Sequence, residues 1–343
     1  MPDKRPLSLN LPRFGLGGGP IGGLTRDMTN EDARKLLEAA WNGGLRYFDT
    51  APWYGNTHSE HRVGSFLREK PRDSFILTTK VGRLYRKPDR DFDFENSRWR
   101  TRWPGGLPMV PNLDYSYDGI MLSYEDSIQR TGITRFDALA IHDLDIRHLQ
   151  TEERVNAAFE QLASSGFRAL SELKSAGEIQ AIGAGINFSG YIGRFLKEFD
   201  LDYFLVAMPY TLADQSILHT ELPLCEKHGA RVIVGAPFAS GMLASGARPD
   251  AQFNYAEPTA EARSKVNAIK AVCTRHGVSM SAAALQFPLG HSAVTSVVFG
   301  AETDQQVVDN IAATTEPITE GFWQDLRAEK LIAPDAPIPC RAM

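Results

Sequence analysis

Phe48-Asp49-Thr50-Ala51-Pro52-Trp53-Tyr54-Gly55 carries the sharpest chemical signal in the chain. An apolar run enters an aspartate, and a tight loop then presents a tyrosine. Taken alone, the segment also reads as a plain strand-end turn capped by Asp49. Two further runs end in the same way. Phe75-Ile76-Leu77-Thr78-Thr79-Lys80 closes on a lysine, and Ala138-Leu139-Ala140-Ile141-His142-Asp143 closes on a histidine. A lysine ending an apolar strand is costly to desolvate unless a carboxylate is near, and Asp49 could be that carboxylate. The alternative is a lysine that snorkels to the surface. Likewise, a lone histidine at a strand end is more often a hydrogen-bonded core residue than a catalyst.

Together these residues describe a proton relay. A phenol with an ordinary pKa of about 10 is a poor acid or base at neutral pH. A nearby ammonium favours the phenolate and lowers that value. Lys80 would do this to Tyr54, Asp49 would keep Lys80 charged, and His142 would donate to a substrate oxygen as negative charge builds there. The set suits reversible proton transfer to a carbonyl or from a hydroxyl. It needs a partner that moves a hydride.

The elements that must position this set are legible as an alternation. Candidate strands span residues 14–16, 45–48, 75–79, 138–142, 179–184, 203–207, 231–234 and 294–299. Helical spacing of apolar residues runs over 30–42, 59–68, 117–131, 151–176, 191–199, 216–228, 259–276 and 304–312. Eight strands, each followed by a helix, is the count of a (β/α)8 TIM barrel, an α/β fold, here one domain over residues 1–343. Asn42-Gly43-Gly44, His228-Gly229 and His276-Gly277 supply helix stops. Residues of about 83–117, rich in charges, aromatics and prolines, interrupt the rhythm after the third strand, on the face where barrel active sites are built. The proline-rich tail, 333–343, either folds over that face or frays.

Composition narrows the class. Of 343 residues, 43% are apolar and 23% charged, which excludes a disordered, collagen-like or coiled-coil chain. Lys and Arg number 37 against 42 Asp and Glu, and a net charge of -5 argues against a nucleic-acid partner. No apolar run approaches the roughly 18 residues of a membrane span, and MPDKRPLSLNLPRFG lacks the apolar stretch of a signal peptide. Cys225, Cys273 and Cys340 are too few and too scattered for a disulfide framework or zinc site. The expectation is a soluble, reduced, cytoplasmic protein, with no metal and with its oligomeric state left open.

The FDTAPWYG run, the lysine ending strand three and the histidine ending strand four match, in order and spacing, the Asp-Tyr-Lys-His tetrad of the aldo-keto reductases, which the chain resembles over almost its whole length. The resemblance implies a nicotinamide-dependent barrel oxidoreductase with the cofactor extended across the barrel mouth. It implies Tyr54 as general acid in reduction and general base in oxidation. Gly183-Ala184-Gly185-Ile186-Asn187-Phe188-Ser189 resembles the family's strand-five motif, which assigns the nicotinamide carboxamide to Asn187 and a backbone contact to Ile186. Asn187 or Ser189 could equally serve as a helix cap. The usual glutamine of strand six aligns near Ala207, so that contact is absent. The aromatic after strand seven aligns with Gly235. Gly235-Ala236-Pro237-Phe238-Ala239-Ser240-Gly241-Met242-Leu243 resembles instead the glycine-rich form of the aldose and pyridoxal dehydrogenase branch. Its small residues let the backbone approach the pyrophosphate; Phe238 packs either on the cofactor or within the loop. Gly300, Glu302 and Gln306 stand at or next to positions where NADP-preferring members place Lys and Arg. A carboxylate there repels a 2′-phosphate and can accept from a 2′-hydroxyl, which implies NAD as preferred cofactor with NADP as the other possibility. Asn310 matches an adenine contact.

For a small-molecule substrate, Trp53 could wall the pocket. The long loop offers Arg83, Arg86, Arg98, Trp99, Arg100, Arg102 and Trp103, of which Arg98 and Trp99 are taken as substrate contacts; the same stretch also reads as a solvated lid. Tyr210-Thr211-Leu212-Ala213-Asp214-Gln215 resembles the branch that oxidises an aldose, or pyridoxal, to its lactone. The reverse reaction on an open-chain sugar aldehyde is a further reading. Two readings come from other classes. One is a metal-dependent barrel isomerase or hydrolase using His58, Glu60 and His61, or His142, Asp143, Asp145 and His148. The other is a non-catalytic module that binds nicotinamide for a partner.

Overall fold

Short apolar runs with no exposed face pair side by side and close on themselves. The computed structural model describes residues 9–246, 252–253 and 256–339. Its strands are β1 (Phe14–Gly17), β2 (Tyr47–Asp49), β3 (Ile76–Val81), β4 (Arg83–Arg86), β5 (Val110–Leu113), β6 (Ala138–Ile141), β7 (Ala181–Ile186), β8 (Tyr203–Val206), β9 (Arg231–Gly235) and β10 (Val294–Phe299). All but β4 and β5 join one closed parallel barrel in the order β1-β10-β9-β8-β7-β6-β3-β2. Strands covered on both faces carry continuous apolar runs rather than alternation, and Ala-Leu-Ala-Ile in β6 is buried throughout. Inside the barrel, Tyr47 and Tyr203 stand among the small side chains of Ala138, Ala140 and Ala181, large beside small, so the interior is packed rather than hollow.

The outer helices follow from 3.6-residue spacing. Asn30–Asn42, as expected, buries Ala33, Leu36, Leu37 and Ala40 on one stripe. Thr29 caps it, accepting from the Asp32 N–H at 3.0 Å. Tyr117–Thr131 also has its expected bounds and ends on Gly132 in left-handed backbone. The helix expected over 151–176 is broken by a wide turn, Leu162–Gly166, and at its end the Tyr115 carbonyl approaches so closely that a Cβ on Gly166 would lie 1.9 Å from it. The segment expected from 216 becomes helical only at Leu222, where Pro223 stands in the first turn that tolerates it. Met280–Gln286 and Glu320–Ala328 are helices the alternation does not announce.

Residues 83–117 are more ordered than a long loop. β4 and β5 form an antiparallel hairpin, and Arg98–Arg102 is a short helix between them. Pro111 hides β5 in the sequence. It sits opposite Tyr85 in a two-stranded ribbon, where a strand tolerates a missing donor. In the tail, Ala336 is buried and its carbonyl accepts from Arg327 Nη2 at 2.6 Å, while Ala333 N–H donates to Gln215 Oε1. Residues 340–343, with Cys340, lie outside the described residues. Among the described residues no helix is long and apolar enough to cross a membrane.

Candidate active site

Parallel pairing puts the C-terminal ends of β2, β3 and β6 side by side, since these strands are consecutive in the barrel. Asp49 is the last residue of β2 and pairs in register with Gly17 and Thr78. Its carboxylate is buried. Oδ1 accepts from the Thr78 hydroxyl at 2.8 Å, and Oδ2 accepts from Lys80 Nζ at 2.7 Å. Lys80 lies one residue before the end of β3, is 1% exposed, and donates a second bond to the Thr50 carbonyl at 2.9 Å. An ion pair this dry persists only because each charge is matched and hydrogen-bonded.

The loop after β2 turns Tyr54 back over this pair. Gly55 makes the turn at φ +66°, and a Cβ there would lie 2.1 Å from the Gly22 carbonyl, so only glycine fits the approach of the two loops. The Thr57 N–H closes the turn on the Pro52 carbonyl at 2.7 Å, and Ser59 ties Thr50 to the Gly18 carbonyl. Lys80 Nζ then stands 4.6 Å from the centre of the Tyr54 ring. His142 follows β6, and its ring meets the Tyr54 ring edge-on, with centroids 6.0 Å apart. The Tyr115 hydroxyl donates to the His142 carbonyl at 2.8 Å, and the His142 N–H donates to Val81. Burial pushes the His142 imidazole well below its ordinary pKa, against the opposing pull of Asp143. The ring is therefore held neutral, with a single N–H, and its Nε2 lies 3.2 Å from Asp143 Oδ2. Its Nδ1 is buried without a partner.

The four residues expected to act together are therefore brought together. Trp53 is buried in a ring cluster with Trp103 at 5.6 Å and Trp99 at 5.8 Å, and the Arg83 guanidinium lies 4.4 Å over its ring. Of the arginines and tryptophans the hairpin offers, Arg83 and Trp103 are the buried ones. Trp103 lies 6.0 Å from the Tyr54 ring, and its Nε1 has no partner. Arg98 remains exposed, 4.0 Å over the half-buried Trp99 ring. Tyr115 and the hairpin itself were missed because their signal is spatial: neither carries a pattern that points at a strand end.

The expected cofactor residues lie at or beyond the C-terminal ends of β7, β9 and β10, an arc of the same mouth. Ile186 is buried in β7, and its carbonyl accepts from Ala207. Asn187 comes next and is half-buried. After β9 (ending at Gly235), left-handed backbone recurs at Ala236, Ala239, Ser240 and Gly241, conformations that non-glycine residues hold only under constraint. Phe238 and Leu243 are buried, and the Leu243 N–H donates to the Phe238 carbonyl at 3.0 Å. Gly300 packs on Pro20, where a Cβ would meet Cγ at 2.7 Å. Glu302 accepts from the Thr25 hydroxyl, its N–H donates to Gln306 Oε1 at 2.8 Å, and its carbonyl accepts from Arg26 Nη2 at 2.7 Å. Asn310 is buried. Arg26, which comes from the loop after β1, is a basic group near this segment that no local reading of residues 300–310 can find.

A dinucleotide fits this mouth on two observations. The buried His142 Nδ1 has no partner among the described residues, and a strained loop, with Ala236, Ala239, Ser240 and Gly241 in left-handed backbone, stands between β9 and the short helix Met242–Ser245. The first metal set is not assembled. Glu60 is buried on the Thr79 hydroxyl and Arg130, His58 Nδ1 bonds the Gly105 carbonyl, and His61 is exposed. Among the described residues only Asp143, Asp145 and His148 gather donor atoms within 4.8 Å of one another. Their oxygens already face Arg83, Asn187 and the His148 ring.

Comparison with known proteins agrees with this geometry. The model of the Aldo/keto reductase family matches residues 13–329. A pyridoxal 4-dehydrogenase of Microbacterium luteolum is 38% identical over 96% of this chain and 98% of its own length. A D-threo-aldose 1-dehydrogenase of a Pseudomonas species is 35% identical, with the same two coverages. Among solved structures, a glycerol dehydrogenase from Gluconobacter oxydans superposes with a TM-score of 0.71, covering 100% of this chain and 99% of its own at 23% identity, a likeness of fold.

Proposed function

The chain belongs to the aldo/keto reductase family, oxidoreductases that act on small-molecule alcohols or aldehydes with nicotinamide cofactors, and from that premise we propose that it oxidises the cyclic hemiacetal of an aldose to a lactone, with NAD as the preferred acceptor. The observation that carries the chemistry is the Lys80 ammonium, buried on Asp49 and 4.6 Å from the Tyr54 ring. A positive charge so placed favours the phenolate, which makes Tyr54 the base that takes the hemiacetal proton. His142, neutral and buried edge-on to the Tyr54 ring, is the residue we assign to contact the reacting oxygen. A bound nicotinamide supplies the hydride acceptor. As the O–H proton passes to Tyr54, the C–H bond breaks with its electron pair and the C=O bond forms.

Two further observations support the finer reading. Trp103 Nε1 is buried without a partner among the described residues, its ring 6.0 Å from that of Tyr54, and burying it empty costs free energy that a ligand hydroxyl recovers. A curated relative at 35% identity carries the name of an aldose 1-dehydrogenase. NAD is favoured because Glu302 presents a carboxylate in the segment after β10, where a 2′-phosphate would be repelled. Arg26 opposes this, but it lies 3.9 Å from Asp32 as well as on the Glu302 carbonyl. Asn187, Ile186, Gly235, Phe238, Gly241, Leu243, Gly300, Gln306 and Asn310 are the residues we assign to the dinucleotide. Trp53, Arg98 and Trp99 are assigned to the substrate.

The test is a screen of aldoses, pyridoxal and short aldehydes with NAD and NADP, followed through the absorbance of reduced nicotinamide. Aldose oxidation with kcat/KM about tenfold higher for NAD is expected. Turnover of pyridoxal alone replaces the substrate reading with that of the other relative. A preference for NADP overturns the Glu302 argument in favour of Arg26.

A further inference from the structure

Asp143 sits at φ +47°, a backbone conformation an aspartate holds only when its surroundings compensate. The compensation is a buried set of contacts around one carboxylate. Oδ2 accepts from Arg83 Nη2 at 3.0 Å and lies 3.2 Å from His142 Nε2 and 3.4 Å from His148 Nε2. Oδ1 accepts from Asn187 Nδ2 at 2.8 Å. The same Nδ2 donates to Asp145 Oδ2, also at 2.8 Å. Asp145 is itself fixed, because its other oxygen meets His148 Nδ1 at 2.8 Å and the His148 N–H at 3.1 Å. Arg83 is clamped between Asp143 and the Trp53 ring.

The geometry points to Asp143 and Asp145 as positioning residues that fix the orientation of the Asn187 amide and so decide which nicotinamide groups it can read. A primary amide can turn either its NH2 or its C=O toward a neighbour. Carboxylate oxygens accept, so the end of the amide facing Asp143 and Asp145 is the NH2, and both of its hydrogens are taken. What remains is Oδ1, which accepts no hydrogen bond from the described residues. Asn187 thus offers an acceptor and nothing else. A nicotinamide carboxamide, which carries N–H donors, suits it; a ring substituent without a donor does not. Because Asp143 also touches His142 and Arg83, the same carboxylate couples the hairpin, the histidine after β6 and the asparagine after β7. Without it, the amide is free to rotate and its selectivity falls.

This rests on the nicotinamide reading above, and the test separates the two. Calorimetry would measure the Kd of NAD and of the 3-acetylpyridine analogue, which replaces the carboxamide by a methyl ketone, for the wild-type chain and for Asp143→Asn and Asp145→Asn. Wild type should bind NAD about tenfold more tightly than the analogue. In each variant the ratio should fall to within about threefold, while the Kd of the analogue stays nearly constant. Asp145→Asn leaves the Arg83–Asp143 ion pair in place and so serves if Asp143→Asn fails to fold. General damage weakens both dinucleotides together and preserves the ratio, which overturns the inference, as does a wild-type ratio near one. Binding of neither dinucleotide to the wild-type chain overturns the nicotinamide reading, and this inference falls with it.

Discussion

Lys80 and Asp49 are nearly removed from solvent, and the cost of burying each is offset by the other and by Thr78 and Thr50. The position of the pair under the Tyr54 ring gives it a chemical consequence. Tyr54→Phe removes the hydroxyl and leaves the ring packing on Trp103 and His142, so kcat should fall by about 10²–10⁴ with little change in dinucleotide affinity. Lys80→Met removes the charge that favours the phenolate, and the rise of the oxidation rate with pH should move to higher pH. Steady-state kinetics over a pH series checks both. A Tyr54→Phe enzyme with near-normal kcat, or an unmoved profile in Lys80→Met, refutes the acid/base assignment.

The hairpin is the element that makes this barrel particular. β3, which carries Lys80, passes through Gly82 directly into β4, which carries Arg83 and Tyr85. Gly82 adopts φ +94°, and a Cβ there would lie 2.4 Å from Tyr115 Cε1. Tyr115 in turn holds the His142 carbonyl. Gly82→Ala must therefore strain the backbone and displace a ring that supports the site. It should lower stability by roughly 1–3 kcal/mol in urea unfolding. An unchanged urea midpoint would show that the junction tolerates a side chain. The sequence presents this stretch as a lid of charges and aromatics. Its ordering comes from pairing between Arg83–Arg86 and Val110–Leu113, partners separated by a helix and several turns.

At the scale of the whole molecule, buried neutral histidine sets an acid limit. Burial lowers the pKa of His142 and of His291, the latter against the pull of Glu226. Below the ordinary histidine value of 6.5, the unfolded chain binds protons that the folded chain refuses. Stability rises with pH in that window. The contribution is complete above pH 6.5 and is lost as pH falls below it. For His142 the loss between pH 6.5 and 5.5 is roughly 1 kcal/mol. Asp143 has its carboxyl held low against the cost of burial by His142, His148 and Arg83. It acts in a separate window, below the ordinary carboxylate value. Urea unfolding at pH 7.5, 6.5 and 5.5 should show the decline, and His142→Gln should make it shallower while His291 still contributes; the same slope in the variant would contradict this assignment.

The barrel, and the placing of Asp49, Lys80 and His142 at its mouth, followed from sequence because both depend on local order. An apolar run buried on both faces can be read residue by residue, and a polar residue at its end must emerge at one face. The family resemblance rested on the same three strand ends. Helix bounds such as Asn30–Asn42 were legible for a related reason, since a capping threonine and an apolar stripe act within a few turns. Only the tertiary structure decided the rest. The burial of Arg83 and Trp103, the arrival of Arg26 at Glu302, and the orientation of Asn187 by two aspartates each join segments far apart in the chain. Their energies come from desolvation and from mutual hydrogen bonding. Neither has a value until the closed barrel sets which groups lose their water and which face one another.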